Sequence, residues 1–203
     1  MKSIDLSFKR KETKYIILEH TYEEIIKEIE EHIPIFRFDD RPGILSIETT
    51  YLDSKDFVLF KEYLNKRKSR FKIRLRRYAY NGMFDPVYLV EIKLQHNSVS
   101  TKKRFILPEN YLNDFLNGND LLPIIKVANN GIIGAQKTYK IIQNLRQINQ
   151  LIPVLQTSYN RVAFQKKSKR IRMTIDNNIT HKKLLGSTKT ETLDAFVLES
   201  KII

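Results

Sequence analysis

The sequence predicts an α+β fold in which an antiparallel sheet or barrel is decorated by helices. Two observations carry this. Segments with strict alternation of polar and apolar residues occur at both ends of the chain, and a helical stretch lies between them. Many of the connections are short enough for hairpins, which suits antiparallel pairing and not a parallel, doubly wound sheet. At 203 residues, 41% of them hydrophobic, the chain is long enough to bury a real core.

Residues 8–18 read as the first strand. "TYEEIIKEIEEHIP" follows as a helix, with Thr21 and Glu24 as a capping box and Ile25, Ile26, Ile29 and Ile33 on one stripe. Pro34 ends it. Residues 44–53 read as a strand, and 70–80, 86–95 and 99–107 as a meander with a turn near Asn81-Gly82. Two short helices close at Gly118 and at Asn129-Asn130-Gly131, and "AQKTYKIIQNLRQI" reads as a third. Strands return at 152–165, 169–177 and 194–202. With no repeat, linker or low-complexity run, residues 1–203 read as a single domain.

A net charge of +13 and a pI near 9.8 favour polyanionic partners: nucleic acid, polyphosphate, nucleotide phosphates or an anionic membrane. Zero cysteines exclude disulfides and thiolate chemistry. No apolar run approaches the roughly 18 residues of a membrane helix, and the N-terminus lacks a signal-peptide core, so a cytoplasmic protein is expected. His20, His32, His96 and His181 are scattered without metal-ligand spacing, and no glycine-rich phosphate loop is present.

The charged residues are patterned. In "RFKIRLRRY", Arg70, Lys72, Arg74 and Arg76 share one strand parity against Phe71, Ile73 and Leu75. Arg10, Glu12 and Lys14 share a parity in the first strand, as do Glu91 and Lys93 in "YLVEIKL". Arg170, Arg172, Thr174 and Asp176 do so in "RIRMTID", and Glu199 and Lys201 in "FVLESK". One basic strand face is commonly just solvated; several on one sheet can line a lumen, with the apolar faces outward under helices. Three Glu-x-Lys pairs among these cations are what a phosphate site with a hard divalent metal requires, although cross-strand ion pairing on an exposed sheet produces the same pattern.

At these residues the sequence resembles the VTC-type polyphosphate polymerase domain, within the CYTH-like triphosphate tunnel enzymes. The matching segments are "FKRKETKY", "TTYLDS", "RFKIRLRRY", "VYLVEIKL", "TKKRF", "TSYNRVAF", "RIRMTID" and "FVLESK", in the family's order over nearly the whole chain. The resemblance implies a closed antiparallel β-barrel tunnel of about eight strands. It also implies ATP and inorganic polyphosphate or triphosphate as ligands, and Mn²⁺ or Mg²⁺ as cofactor. Its catalytic set would be Lys14, Arg74, Arg76, Lys93, Arg161, Arg172 and Glu199. Further phosphate contacts would come from Arg10, Arg70, Lys72, Lys103, Arg104, Arg170 and Lys201, and metal ligation from Glu199 with Glu12 and Glu91. Family members usually continue past the Glu199 strand into a further helical segment, which the resemblance implies would follow Ile203, and polymerases of this type can act beside a membrane protein. A tunnel triphosphatase and a non-catalytic polyphosphate binder are the alternatives. A nucleic-acid binder fits least, because aromatic platforms are not interleaved with the cations.

Overall fold

A computed structural model describes residues 11–37, 45–97, 99–166, 168, 170–186 and 189–202. One antiparallel sheet organises them. Its strands are β1 (Lys11–Ile17), β2 (Leu45–Asp53), β3 (Ser69–Tyr80), β4 (Met83–Phe84), β5 (Val87–His96) and β6 (Val99–Pro108), then β7 (Ile152–Lys166), β8 (Ile171–Lys183), β9 (Thr190–Leu193) and β10 (Phe196–Ile202). The helices are α1 (Tyr22–His32), α2 (Val58–Leu64), α3 (Leu112–Asn117), α4 (Leu122–Ala128) and α5 (Ile133–Asn149).

Hydrogen-bonded neighbours run in the order β1-β10-β8-β7-β2-β3-β5-β6, with the short strands β4 and β9 attached to β3 and β8. The eight-strand path matches the expected count, but the expected closure does not hold among the described residues. No ladder joins β1 to β6, so each is an edge strand, and Tyr15 and Ile16 on β1 are 53% and 76% exposed. The sheet still curls strongly. β1 and β3 are five strands apart on the path, about 24 Å if flat at ~4.8 Å per strand. Yet Lys14 on β1 acts electrostatically on Lys72 on β3, which that separation would screen. The described strands thus form a trough whose β1 and β6 edges do not pair.

Helices cover the outside of the trough. Ile25, Ile26, Ile29 and Ile33 of the α1 segment pack with Val162, Phe164, Met173, Ile175 and Leu198 of β7, β8 and β10. Phe164 and Ile175 are fully buried there, each worth about 1.5–3 kcal/mol. A larger core lies between β3, β5, β6 and α2–α5, built around Ile73, Val90, Ile92, Phe105, Leu107, Phe115, Ile125 and Ile142. This is the expected arrangement, with apolar strand faces outward under Ile- and Leu-rich helices.

Local chemistry explains the joints. Asn81 and Gly82 adopt φ of 50° and 82°, the left-handed pair of a tight hairpin turn, and set Tyr80 opposite Met83. Thr21 precedes α1 as expected, but its hydroxyl donates 2.9 Å to the Leu18 carbonyl and closes a preceding 3₁₀ turn, so the capping box does not form. Helix α2 was not expected, because its cap lies far upstream. Buried Asp53 at the end of β2 accepts the amides of Leu59 and Phe60 at 2.9 and 3.0 Å. Among the described residues no helix is long and apolar enough to cross a membrane.

Candidate anion site on the trough floor

Register alone gathers the charged residues onto one face. Lys14 pairs with Glu199, which pairs with Thr174, and Glu12 pairs with Lys201, which pairs with Arg172. Arg161 lies opposite Asp176 on one side and Leu45 on the other. Across the trough, Arg76 lies opposite Thr49 and Arg74 opposite Tyr51. Two rows then cross β3, β5 and β6: Arg74–Glu91–Arg104 and Lys72–Lys93–Lys102.

The lysine row is the unusual feature. Like charges directly opposite one another on a sheet repel and destabilise it. Lys102 is relieved by its pair with Glu91, but among the described residues no carboxylate comes within salt-bridge distance of Lys72 or Lys93. Burial lowers the Lys72 pKa, and repulsion from Lys93, Arg70, Arg74 and Lys14 adds to that. Tyr63 on α2 offsets part of it, with its ring 3.5 Å from the Lys72 ammonium. An anion lying along the row would convert repulsion into attraction.

The arginines are anchored mainly through Nε, with Tyr51 as a further partner of Arg74. Arg74 donates through Nε to Glu91 at 2.7 Å, and Arg76 through Nε to the Thr49 hydroxyl at 3.1 Å. Arg161 is gripped twice by Asp176, through Nε at 2.6 Å and one terminal nitrogen at 2.7 Å. In each case at least one terminal NH₂ group remains for a phosphate oxygen, on a guanidinium already fixed in place.

The acids divide into two kinds. Glu91 is 1% exposed and committed to Arg74 and Lys102, with Arg104 3.9 Å away. Burial pushes its carboxyl up, but the Lys102 bond and the Arg74 charge outweigh this and hold it below the ordinary value. Glu199, 8% exposed, receives a 2.8 Å bond from Lys201 and shares another with Glu12. Burial opposes its charge too, yet those bonds and the charges of Lys201 and Lys14 bring it to about 2. Glu12 moves the other way, raised first by its bond to Glu199 and then by burial.

Two neighbouring carboxyls that raise and lower one another's pKa suit a divalent cation, which would relieve their repulsion and be completed by substrate oxygens. Buried Thr174, opposite Glu199, has a hydroxyl without a hydrogen-bond partner and adds an unused oxygen beside them. Glu12 and Glu199 therefore fit the expected metal. Glu91 does not join them: among the described residues no three His, Asp or Glu side chains gather around one point, and Glu91 is spent on its cations.

Most of the expected cations lie on this face: Lys14, Arg70, Lys72, Arg74, Arg76, Lys93, Arg104, Arg161, Arg172 and Lys201. Lys103 is a correction. It pairs with Ile92, whose side chain is in the outer core, so Lys103 shares that opposite face and Lys102 takes the expected place. Arg170 sits before β8 in a turn, at φ 51° and exposed, not in the strand comb. Arg10 lies outside the described residues. Sequence reasoning missed Lys102, Asp176 as the grip on Arg161, and the orphan hydroxyl of Thr174. Parity within "TKKRF" signalled the first, because Lys102 and Arg104 alternate.

Comparison with known proteins bears on the family and the fold. The VTC domain family matches residues 9–201. Vacuolar transporter chaperone complex subunit 4 of Schizosaccharomyces pombe is 27% identical over 195 residues, covering 86% of this chain and 26% of that protein. Vacuolar transporter chaperone complex subunit 2 of Saccharomyces cerevisiae is 29% identical over 148 residues, covering 66% and 18%. The chain thus spans about a quarter or less of these relatives. A putative adenylate cyclase from Bacillus halodurans superposes with a TM-score of 0.52 at 13% identity, covering 96% of this chain and 82% of that one, a likeness of fold. The chain belongs to the VTC domain family.

Proposed function

We propose that this chain is a polyphosphate polymerase-like phosphotransferase that moves the γ-phosphoryl group of ATP onto a growing inorganic polyphosphate chain. The observation that carries the reading is the Lys72–Lys93–Lys102 row beside arginines anchored by Nε. Repelling cations, held rigidly on one concave face, match a string of phosphates. Phosphoryl transfer needs little covalent help from a protein; alignment and neutralisation of charge on the transferring oxygens do most of it.

In the proposed step a terminal phosphate oxygen of the acceptor attacks the γ-phosphorus and the bond to the β,γ-bridging oxygen breaks. ADP leaves, and the acceptor gains one phosphate. Arg74, Arg76, Arg161 and Arg172 would bind and orient the phosphates, with Lys14, Lys72 and Lys93 neutralising the chain. Glu12 and Glu199 would hold Mn²⁺ or Mg²⁺, which supplies Lewis-acid neutralisation of phosphate charge.

Hydrolysis is the second reading, favoured by the missing β1–β6 ladder among the described residues, which leaves water a route to the acceptor position. Incubation with ATP and Mn²⁺, resolved by gel and by orthophosphate release, separates the two. Polyphosphate ladders dependent on Glu199 support polymerisation. Orthophosphate without ladders supports hydrolysis. Tight polyphosphate binding without ATP turnover under any divalent metal would leave a binding module. Partners from a complex like that of the named relatives are part of this reading, tested by co-purification.

A further inference from the structure

The outer face of α4 and α5 differs from the rest of the surface. No Asp or Glu occurs from Leu121 through Ile175. Helix α5 turns Ala135, Thr138, Tyr139, Ile142 and Arg146 into the protein. Its opposite face, at three- and four-residue spacing, presents Ile133, Lys137, Ile141, Asn144 and Ile148. Ile133 and Ile148 are 67% and 70% exposed, and the α4–α5 elbow adds Val127 and Ile132 at 78% and 60%. Lys126, Lys137 and Lys140 are exposed among them. Lys140 lines a pocket with Asp120, so Lys126 and Lys137 carry the argument.

We propose that this face docks on an anionic lipid bilayer. Protruding isoleucines interspersed with lysines, without acids, are the composition of a helix lying in a membrane interface. There the apolar side chains enter the headgroup boundary and the lysines reach anionic headgroups. Charge complementarity selects this occupant over a second copy. A two-fold contact through α5 would set the same lysines against each other. Helix α1, in contrast, exposes Glu23, Glu24, Glu28, Glu30 and Glu31 and would be repelled by such a surface. The docked orientation is therefore polar, with the α5 side inward.

Co-sedimentation with vesicles tests this, using phosphatidylcholine alone and three parts phosphatidylcholine to one part phosphatidylserine. Binding to the anionic vesicles only is expected. Lys126→Gln with Lys137→Gln should lower partitioning by about five-fold per lysine. Ile133→Gln with Ile148→Gln should lower it comparably, while Lys72→Gln with Lys93→Gln in the trough should leave it intact. The chain contains no tryptophan, so Ile133→Trp adds a lone fluorophore whose emission should shift to shorter wavelength on anionic vesicles. Wild-type binding by the α5 variants, loss of binding by the trough variants, or an unshifted Ile133→Trp emission overturns the proposal. So does a dimer in sedimentation that those α5 substitutions dissolve.

Discussion

The two walls of the trough each bury the acid of a Glu-x-Lys pair and use it differently. On β5, Glu91 stands between Arg74 and Arg104 in register and is claimed by Arg74 and Lys102. On β10, Glu199 stands between Lys14 and Thr174 and lies beside Glu12, whose carboxyl is raised where its own is lowered. The motif is the same, and the neighbours across the ladder decide what the acid does. Surrounded by cations, Glu91 is structural cement for the arginine side. Beside a second carboxyl and an unpartnered hydroxyl, Glu199 keeps capacity for a ligand. Spacing along a strand finds charged pairs, and register assigns their roles.

The largest test of this contrast is at Glu199. Glu199→Ala is expected to lower ATP- and Mn²⁺-dependent phosphate transfer by about 10²–10³-fold, the scale for losing one electrostatic support of a transition state. Its unfolding midpoint in urea should move less than that of the Glu91 variant below. Unchanged turnover would remove Glu199 from the site.

Next comes the stability of the opposite wall. Glu91→Ala leaves Arg74 and Lys102 uncompensated against a buried position and should cost about 3 kcal/mol in urea unfolding. If Glu91→Ala unfolds no more easily than Glu199→Ala, the distinction between cement and ligand fails.

Glu12 sharpens the comparison through pH. Its raised pKa means the folded protein holds that proton more tightly than the unfolded chain does. Stability from this source is full below the ordinary carboxylate range and falls as pH rises through the raised value. The depressed Glu199 works oppositely: its contribution is present above that range and is lost as pH falls toward about 2. Metal-free Glu12→Gln should therefore gain about 0.3 kcal/mol at neutral pH, because Glu12 is 43% exposed and solvent screens the repulsion it relieves. It should flatten the decline at rising pH, and lose most of the thermal stabilisation that Mn²⁺ gives the parent. Scanning calorimetry from pH 4 to 8, with and without Mn²⁺, checks both arms. A Glu12→Gln protein stabilised by Mn²⁺ as well as the parent removes Glu12 from the metal site.

Much of this was legible in the sequence. Alternation placed nearly every strand and, through parity, most of the trough-floor cations, because a pleated strand admits only two faces. The helix stripes located the outer covers. What alternation cannot encode is contact between distant segments. It did not show that Asp176 grips Arg161, that Arg77, on the outward parity of β3, pairs with Glu48 and Glu109, or that α2 takes its cap from Asp53. Nor does it say whether edges meet, which depends on accumulated twist and on strands whose side chains look alike paired or unpaired. Thus the curl and lining were readable, and the missing β1–β6 ladder among the described residues was not.

The smallest effect separates adjacent residues on one strand. Lys102 and Lys103 are indistinguishable by composition, but their Cβ atoms point to opposite faces of β6. Lys102 meets Glu91 and completes the lysine row, and Lys103 shares the face of Ile92. Lys102→Ala should weaken binding of a short polyphosphate several-fold, about 1 kcal/mol for one partly exposed cation on a phosphate, and should also relax Glu91. Lys103→Ala should leave binding within experimental error and change only the overall charge, as Lys102→Ala also does. Titration calorimetry at matched ionic strength compares the two at equal net charge, so general electrostatic attraction cancels. Equal losses in both variants would mean that polyphosphate responds to the protein's charge as a whole and that the register of β6 is irrelevant to it.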